Sequence, residues 1–518
     1  MPRIAIQTVR SAIPAIVTIL VLFGSASSVH AGDLRQIPAR QQSETNFSSY
    51  DLTVELIPER SEIAGTMTVD WINTTDESQA SLYFRLFPNA DYYGNGGTDV
   101  LAAAADRASV EPIEGDDPTL LEIPLPEPLA VNDRTVIELA FQTVIPEPTG
   151  ASFGVFGGSI DQGWTLADWY PIVAGWEEGS GWYLAPPTRF ADPTFGDAAT
   201  YRVSFTAPGD LHVVSSGHEM SATPRLQAGT TLHEIESGPG RDFTLSLFPK
   251  TSFTDIETAE EAVDDVIIRA SLPGSIAVPG LTDAIVEIAS DAFPLYESWL
   301  GAYEQPELDL TIANLSGATG VAWNGIIWLD LADIAADGAL SEEEVAQLRF
   351  VITHEVGHQW IAGIIGSNNN DHGFMSEGLT NTLAILVLRD RLGESGAEDY
   401  LRGWVAGPYA ALVRDGRDAI ADEPVTNDSN IVLRSSAIYG KAALGFEAIR
   451  QEIGDPAFFA ALSAYAADYR FAVSDPADLL HAFEAAAERE LSSLWSFWFE
   501  ESTTTIDDVD AVLNGFAD

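Results

Sequence analysis

Cysteine is absent from the 518 residues. That excludes a disulfide framework, thiol nucleophiles and thiolate metal sites, so any metal must be held by histidine and carboxylate. Positive charge is scarce. The 25 basic residues face 78 acidic ones, a formal net charge of −53, and only Lys250 and Lys441 are lysine. Such a surface repels nucleic acid and anionic membranes, which excludes both as partners. The acidity is spread along the chain rather than gathered in a tail, and the working hypothesis it supports is a salt-rich habitat. Long apolar runs are missing after the first 31 residues, so no stable membrane insertion is expected beyond that point. Internal repeats and low-complexity tracts are missing as well, and nothing in the pattern fixes an oligomeric state.

What is present begins with an export signal. Arg3 and Arg10 give residues 1–31 a basic start, residues 11–24 an apolar run too short to span a bilayer comfortably, and Val29, His30 and Ala31 a small-residue cleavage site. The expected location is secreted or periplasmic, with an uncleaved anchor as the rival. The lack of cysteine excludes a bacterial lipid anchor. Residues 32–46 are polar and read as a linker. Period-two patterns at 50–57, 65–72, 82–87, 135–144 and 201–205 predict an all-β domain over 47–252, a sandwich. Trp164, Trp169, Trp176 and Trp182 crowd its later part, and packing of a core or interface is the favoured reading over a ligand surface. Beyond 253 the pattern turns mixed, with a helix over 281–300, strands at 308–313 and 326–331, and helices at 398–414, 436–453, 456–469 and 476–499.

The chemistry concentrates at His354, Glu355 and His358, an H-E-x-x-H pattern. Ser341 and Glu344 form a capping box that starts a helix, Val345, Leu348, Ile352, Ile361 and Ile365 give it an apolar stripe, and Gly366 with the polar run 368–371 reads as its stop. Residues four apart share a helix face, so both imidazoles can reach one zinc ion, while Glu355 lies beside the metal as a general base. A third ligand must come from another element. Glu377, eighteen residues beyond His358, opens a second apolar helical segment and is the candidate. Two His and one Glu leave one coordination position open, the mark of a catalytic rather than a structural zinc.

These motifs resemble the alanyl aminopeptidase type of gluzincin zinc metallopeptidase. The likeness rests on the spacing of His354, Glu355, His358 and Glu377, on Gln359-Trp360 and Gly378 beside the ligands, on Ile438-Tyr439-Gly440-Lys441-Ala442, and more loosely on Gly196, Asp197 and Tyr201. It implies an α+β multidomain protein: an N-terminal all-β sandwich domain followed by a thermolysin-like, mainly helical zinc peptidase domain over 253–450, with C-terminal helices at 451–518 packing on it. It also implies one Zn(2+) per chain, a peptide substrate, and Tyr439 as the hydroxyl that stabilises the oxyanion. The family's segment above the metal carries a Glu that holds the substrate amine. Here it reads Gly320, Val321, Ala322, Trp323, Asn324, without a carboxylate. Gly320, Trp323 and Asn324 are expected to border the substrate, Trp323 either as a pocket floor or as packing. Only 79 residues follow Tyr439 (518 − 439), so the cleft is expected to be open.

The function expected is therefore an exported zinc metallopeptidase, aminopeptidase-like by resemblance. The alternatives are a zinc endopeptidase or a non-catalytic binding protein, because the acidic anchor is missing from 316–325. His372 reads as a solvated loop histidine, Asn381 as a hydrogen-bonding neighbour of the site or a solvent-facing residue, His481 as structural.

Overall fold

The computed structural model describes residues 47–516, apart from 149, 151, 191–194, 251–255, 275–277, 333 and 335–337. The export signal and the linker expected at 1–46 lie outside the described residues.

The first half is all β. In Ser48–Ile57, Tyr50, Leu52, Val54 and Leu56 are buried while Asp51, Thr53 and Glu55 face out, the alternation a half-buried strand demands. It is the parallel partner of Ala199–Pro208 and the antiparallel partner of Glu62–Ile72 in an eight-stranded sheet. Two four-stranded sheets supply the facing layers. Leu82, Phe84 and Ile123 from one, Trp164, Leu166 and Leu247 from the other, and Leu139, Phe141 and Val203 from the large sheet share a single core. This is a sandwich. Trp164 and Trp169 are fully buried in it. Trp176 and Trp182 are half-buried, meet edge to face at 5.5 Å, and donate their indole N–H groups to Asp76 and Gln79. The tryptophan-rich stretch is packing.

The second half opens on a five-stranded sheet. Val266–Pro273, Glu307–Ile312 and Ile326–Leu329 run parallel, and helix α1 (Leu281–Leu300) makes the crossover between the first two. Gly320–Trp323 is an edge strand, antiparallel to Ile326–Leu329. Helix α2 (Glu342–Gly357) follows, then the short α3 (Asn369–Gly373), a single π turn (Phe374–Gly378) and α4 (Leu379–Tyr400). Further helices complete the half: α5 (Ala406–Arg414), α6 (Ile431–Ser435), α7 (Ala442–Ile453), α8 (Asp455–Asp468), α9 (Pro476–Ala487), α10 (Ser492–Trp495) and α11 (Ile506–Gly515). The single helix expected over 476–499 breaks where Glu488 takes a left-handed conformation. His481, expected to be structural, is exposed on α9. Among the described residues no helix is long and apolar enough to cross a membrane.

Helix α2 sits between α1 and α4. Ile352 and Val356 are buried in a core with Phe293, Tyr296 and Leu383. A Cβ at position 357 would lie 2.7 Å from the Tyr296 hydroxyl and 2.9 Å from Thr380 Cγ2, so glycine is what allows this close approach. The capping box forms as expected: Glu344 N–H donates to Ser341 Oγ and Ser341 N–H to Glu344 Oε2. The helix stops at Gly357 rather than near Gly366. The cause is tertiary. Gln359 donates to the Trp323 carbonyl and the Trp360 indole to the Gly301 carbonyl, which draws the chain out of helical register.

Arg241 fastens the two halves together. It is buried, and its guanidinium donates to the carbonyls of Gly196, Gly363, Ile364 and Ala472.

Candidate metal centre

His354 lies in the last turn of α2, and His358 caps that helix, its N–H bonded to the His354 carbonyl at 3.3 Å. The four-residue spacing thus survives although the helix has just ended. Glu377 arrives from the π turn before α4. Its Oε2 is 3.2 Å from His354 Nε2 and 3.3 Å from His358 Nε2, the two nitrogens are 2.9 Å apart, and all three donor atoms lie within 4.8 Å of one another. Among the described residues no other His, Cys, Asp or Glu group converges in this way.

The donors fit a divalent cation. His358 Nδ1 faces the Ile361 carbonyl at 3.2 Å, so its proton belongs there and the Nε2 lone pair is left pointing at the other donors. Lone pairs on two imidazoles and a carboxylate satisfy a cation and cannot satisfy each other. Without a cation the proton count must change instead. Burial disfavours charge on His358, but the Glu377 carboxylate outweighs it and raises the imidazole to about 9. Two nitrogens and one oxygen suit zinc with a free position.

Glu355 is buried beside this cluster, and burial raises its carboxyl above the ordinary range. Gly320 presses on it: a Cβ there would sit 2.6 Å from Glu355 Oε1 and 2.8 Å from Val351 Cγ1. Tyr439 stands on a π turn, Ser436–Lys441, with its ring 6.4 Å from that of His354. Burial, then the Glu377 and Glu355 carboxylates, raise its phenol well above the ordinary value, so it stays a donor although 38% of the residue is exposed. Asn381 is buried and donates to the Tyr439 carbonyl at 3.0 Å, so it positions the tyrosine and does not face solvent.

All of these border a cleft of about 910 Å³. Its wall includes Gly320, Trp323 and Asn324. Trp323 is only 3% exposed and packs on Trp328 at 4.6 Å. Asn324 gives its backbone N–H to Asp242 and its side-chain amide to Ser237. Both side chains are thus committed to the protein itself. His372 is not a solvated loop histidine: its Nδ1 is 2.6 Å from Asp422 Oδ1, and it does not line the cleft. Lys441 is fully buried on both carboxylate oxygens of Asp418 and on the carbonyls of Ala419 and Glu501, so its charge serves the fold.

Gln359 stands out in the sequence only as a neighbour of His358, and four further contributors, Phe350, Trp404, Arg189 and Asp242, have no signal there. Gln359 holds the end of the edge strand, donating to Trp323 O and accepting from Gly325 N–H and the Tyr303 hydroxyl. Phe350 and Trp404 form an aromatic wall, rings 6.0 Å apart, on one side of the cleft. Arg189 and Asp242 reach it from the β half. Each depends on contacts between residues distant in sequence.

Comparison with known proteins places this geometry. Residues 285–498 match the model of the peptidase family M1 domain. The chain is 24% identical over 263 residues to aminopeptidase N of Lactobacillus helveticus, covering 48% of this chain and 30% of that one. It is 22% identical over 227 residues to aminopeptidase N of Lactococcus lactis subsp. lactis, covering 42% and 26%. The chain thus spans less than a third of the length of these relatives. Among solved structures it resembles the M1 zinc metallopeptidase of Deinococcus radiodurans, with a TM-score of 0.62 and 18% identity over 88% of this chain and 94% of that one. A mutant of that peptidase bound to a Tyr-Ser-Ala substrate aligns over 89% and 96%, with a TM-score of 0.61 and 17% identity. Residues 285–498, which contain both histidines, Glu355, Glu377 and Tyr439, therefore match the peptidase family M1 domain, and the fold resembles that of a solved M1 zinc metallopeptidase.

Proposed function

We propose that this protein is an exported zinc-dependent peptidase of the aminopeptidase type. The observation that carries the reading is the convergence of His354, His358 and Glu377 beside a buried Glu355, in a cleft large enough for several residues of peptide. His354, His358 and Glu377 would hold the zinc. When bound, the ion supplies a Lewis acid that activates water at neutral pH and polarises the scissile carbonyl.

The remaining work falls to the chain. Glu355 takes a proton from the attacking water and returns it to the leaving amine, and its raised carboxyl suits both roles. The Tyr439 phenol donates to the oxyanion that develops on the carbonyl, a contact typically worth ~10²–10³ in rate. Among the described residues the edge strand Gly320–Trp323 has a strand partner on one side only, so it offers backbone groups to an extended substrate on the other. Glu355→Gln should retain zinc while turnover of peptide substrates falls by ~10²–10⁴. Full turnover by the variant removes this mechanism.

Exopeptidase action rests on likeness to the aminopeptidases. Residues 316–325 bring no carboxylate to bind a substrate amine, and among the described residues Asp242 is the one cleft carboxylate outside the centre itself. Matched peptides with free and acetylated N-termini decide between the two modes: equal cleavage of both makes the enzyme an endopeptidase. Export rests on the sequence of residues 1–31, and a mature protein that begins at residue 32 supports it. A protein that stays in the cytosol of the producing cell sinks it, whereas an exported protein that retains Met1 marks the uncleaved anchor.

A further inference from the structure

The cleft contains one cation that no carboxylate among the described residues neutralises. Besides the two histidine ligands, five charged side chains among the described residues line it: Arg189, Arg241, Asp242, Glu355 and Glu377. Glu355 and Glu377 belong to the metal centre. Asp242 accepts the N–H of Asn324. Arg241 is consumed by four backbone carbonyls. Arg189 differs. Its backbone is fixed from both sides, with its N–H bonded to Asn427 Oδ1 at 3.0 Å and its carbonyl to the N–H of Ser152 at 3.0 Å. Its guanidinium lies 6.0 Å from the centroid of the Tyr92 ring, a cleft-lining aromatic, and no carboxylate among the described residues pairs with it. The residue is exposed.

In a chain with three times as many acidic as basic residues, most arginines find a carboxylate, as Arg134, Arg202, Arg269, Arg389, Arg450 and Arg470 do. An arginine anchored by its main chain, with its guanidinium over an aromatic ring and no carboxylate partner among the described residues, has the features of a carboxylate receptor at a binding cleft. The loop that would carry an acidic anchor for an amine holds none.

We propose that Arg189 binds a carboxylate of the substrate, so that the cleft selects peptides by a negative group. The inference rests on the peptidase reading. Two sources share this chemistry: the C-terminal carboxylate of a short peptide, and an acidic side chain.

The test uses the full zinc-loaded protein and three matched tetrapeptides: a free acid, its C-terminal amide, and an amide with glutamate at the last position. The wild type should prefer a carboxylate-bearing peptide to the plain amide by about tenfold in kcat/KM, expressed in KM. Arg189→Gln should bring that ratio to about one, and Arg189→Lys should restore part of it. The peptide that shows the preference identifies the source. No preference in the wild type, or a ratio unchanged by Arg189→Gln, overturns the proposal. The same peptides titrated into Glu355→Gln, with and without Arg189→Gln, give affinities without turnover. If the protein cleaves none of them, the peptidase reading fails, while a carboxylate preference in these affinities that depends on Arg189 still upholds the receptor.

Discussion

Gly320 shows how much a single position decides at the centre. Its missing side chain leaves the space that Glu355 Oε1 occupies, 2.6 Å from where a Cβ would be. Gly320→Ala must push the carboxylate aside, because a Cβ there would also meet Glu355 Cγ at 2.7 Å and Val351 Cγ1 at 2.8 Å. Turnover should fall by ~10²-fold while zinc content stays at that of the wild type, since a base misplaced by about an ångström loses roughly that much. Single-turnover kinetics with metal analysis read both. His358 gives a second expectation. Without metal it is raised to about 9 and is protonated at pH 7.5, whereas a zinc ligand must be neutral. Zinc binding at pH 7.5 should release about one proton, and the release should fade as pH rises past about 9. Calorimetry in two buffers of different ionisation enthalpy measures it, and no release at pH 7.5 sinks it. The histidines and Glu355 were legible in the sequence because helix geometry is local. The commitments of Trp323 and Asn324 to Trp328, Ser237 and Asp242 were not, because those partners come from other strands.

Among the elements, the π turn Ser436–Lys441 places Tyr439 over the centre and is tied down from behind by Lys441. This lysine bridges Asp418, the carbonyls of Ala419 and Glu501, and so the C-terminal helices. Burial lowers its pKa while Asp418 opposes that. Both partners are buried, so removal of one strands the other's charge. Lys441→Met should cost about 3–5 kcal/mol in chemical denaturation. A loss under about 1 kcal/mol would show that the bridge contributes little. The sequence marked Lys441 as one of two lysines, but only the packing assigns its charge to the fold. Element starts were easier to see than stops. The capping box of α2 is written in Ser341 and Glu344, whereas its end at Gly357 follows from the pull of Trp323 and Gly301 on residues 359 and 360.

For the molecule as a whole, the dominant fact is a net charge of −53. Like charges at that density oppose the compact state, and added salt screens them. The melting temperature should rise steadily between low salt and ~1 M salt, where the Debye length is ~3 Å. A flat profile discards the saline-habitat hypothesis. The two halves remain joined through contacts that salt barely reaches, above all the buried Arg241 and its four carbonyls.

Composition, caps and the H-E-x-x-H spacing determined the all-β first half, the start of α2 and the two histidines one turn apart, because each of those depends on periodicity or short-range geometry within one element. The tertiary structure alone decided where α2 ends, what Lys441 neutralises, which side chains are left to meet a substrate, and that Arg189 reaches the cleft without a carboxylate partner among the described residues. Those properties arise from pairs of residues that the fold brings together from far apart in the chain, as Arg189 is with Asn427 and Arg241 with Ala472, and no local pattern encodes such pairs.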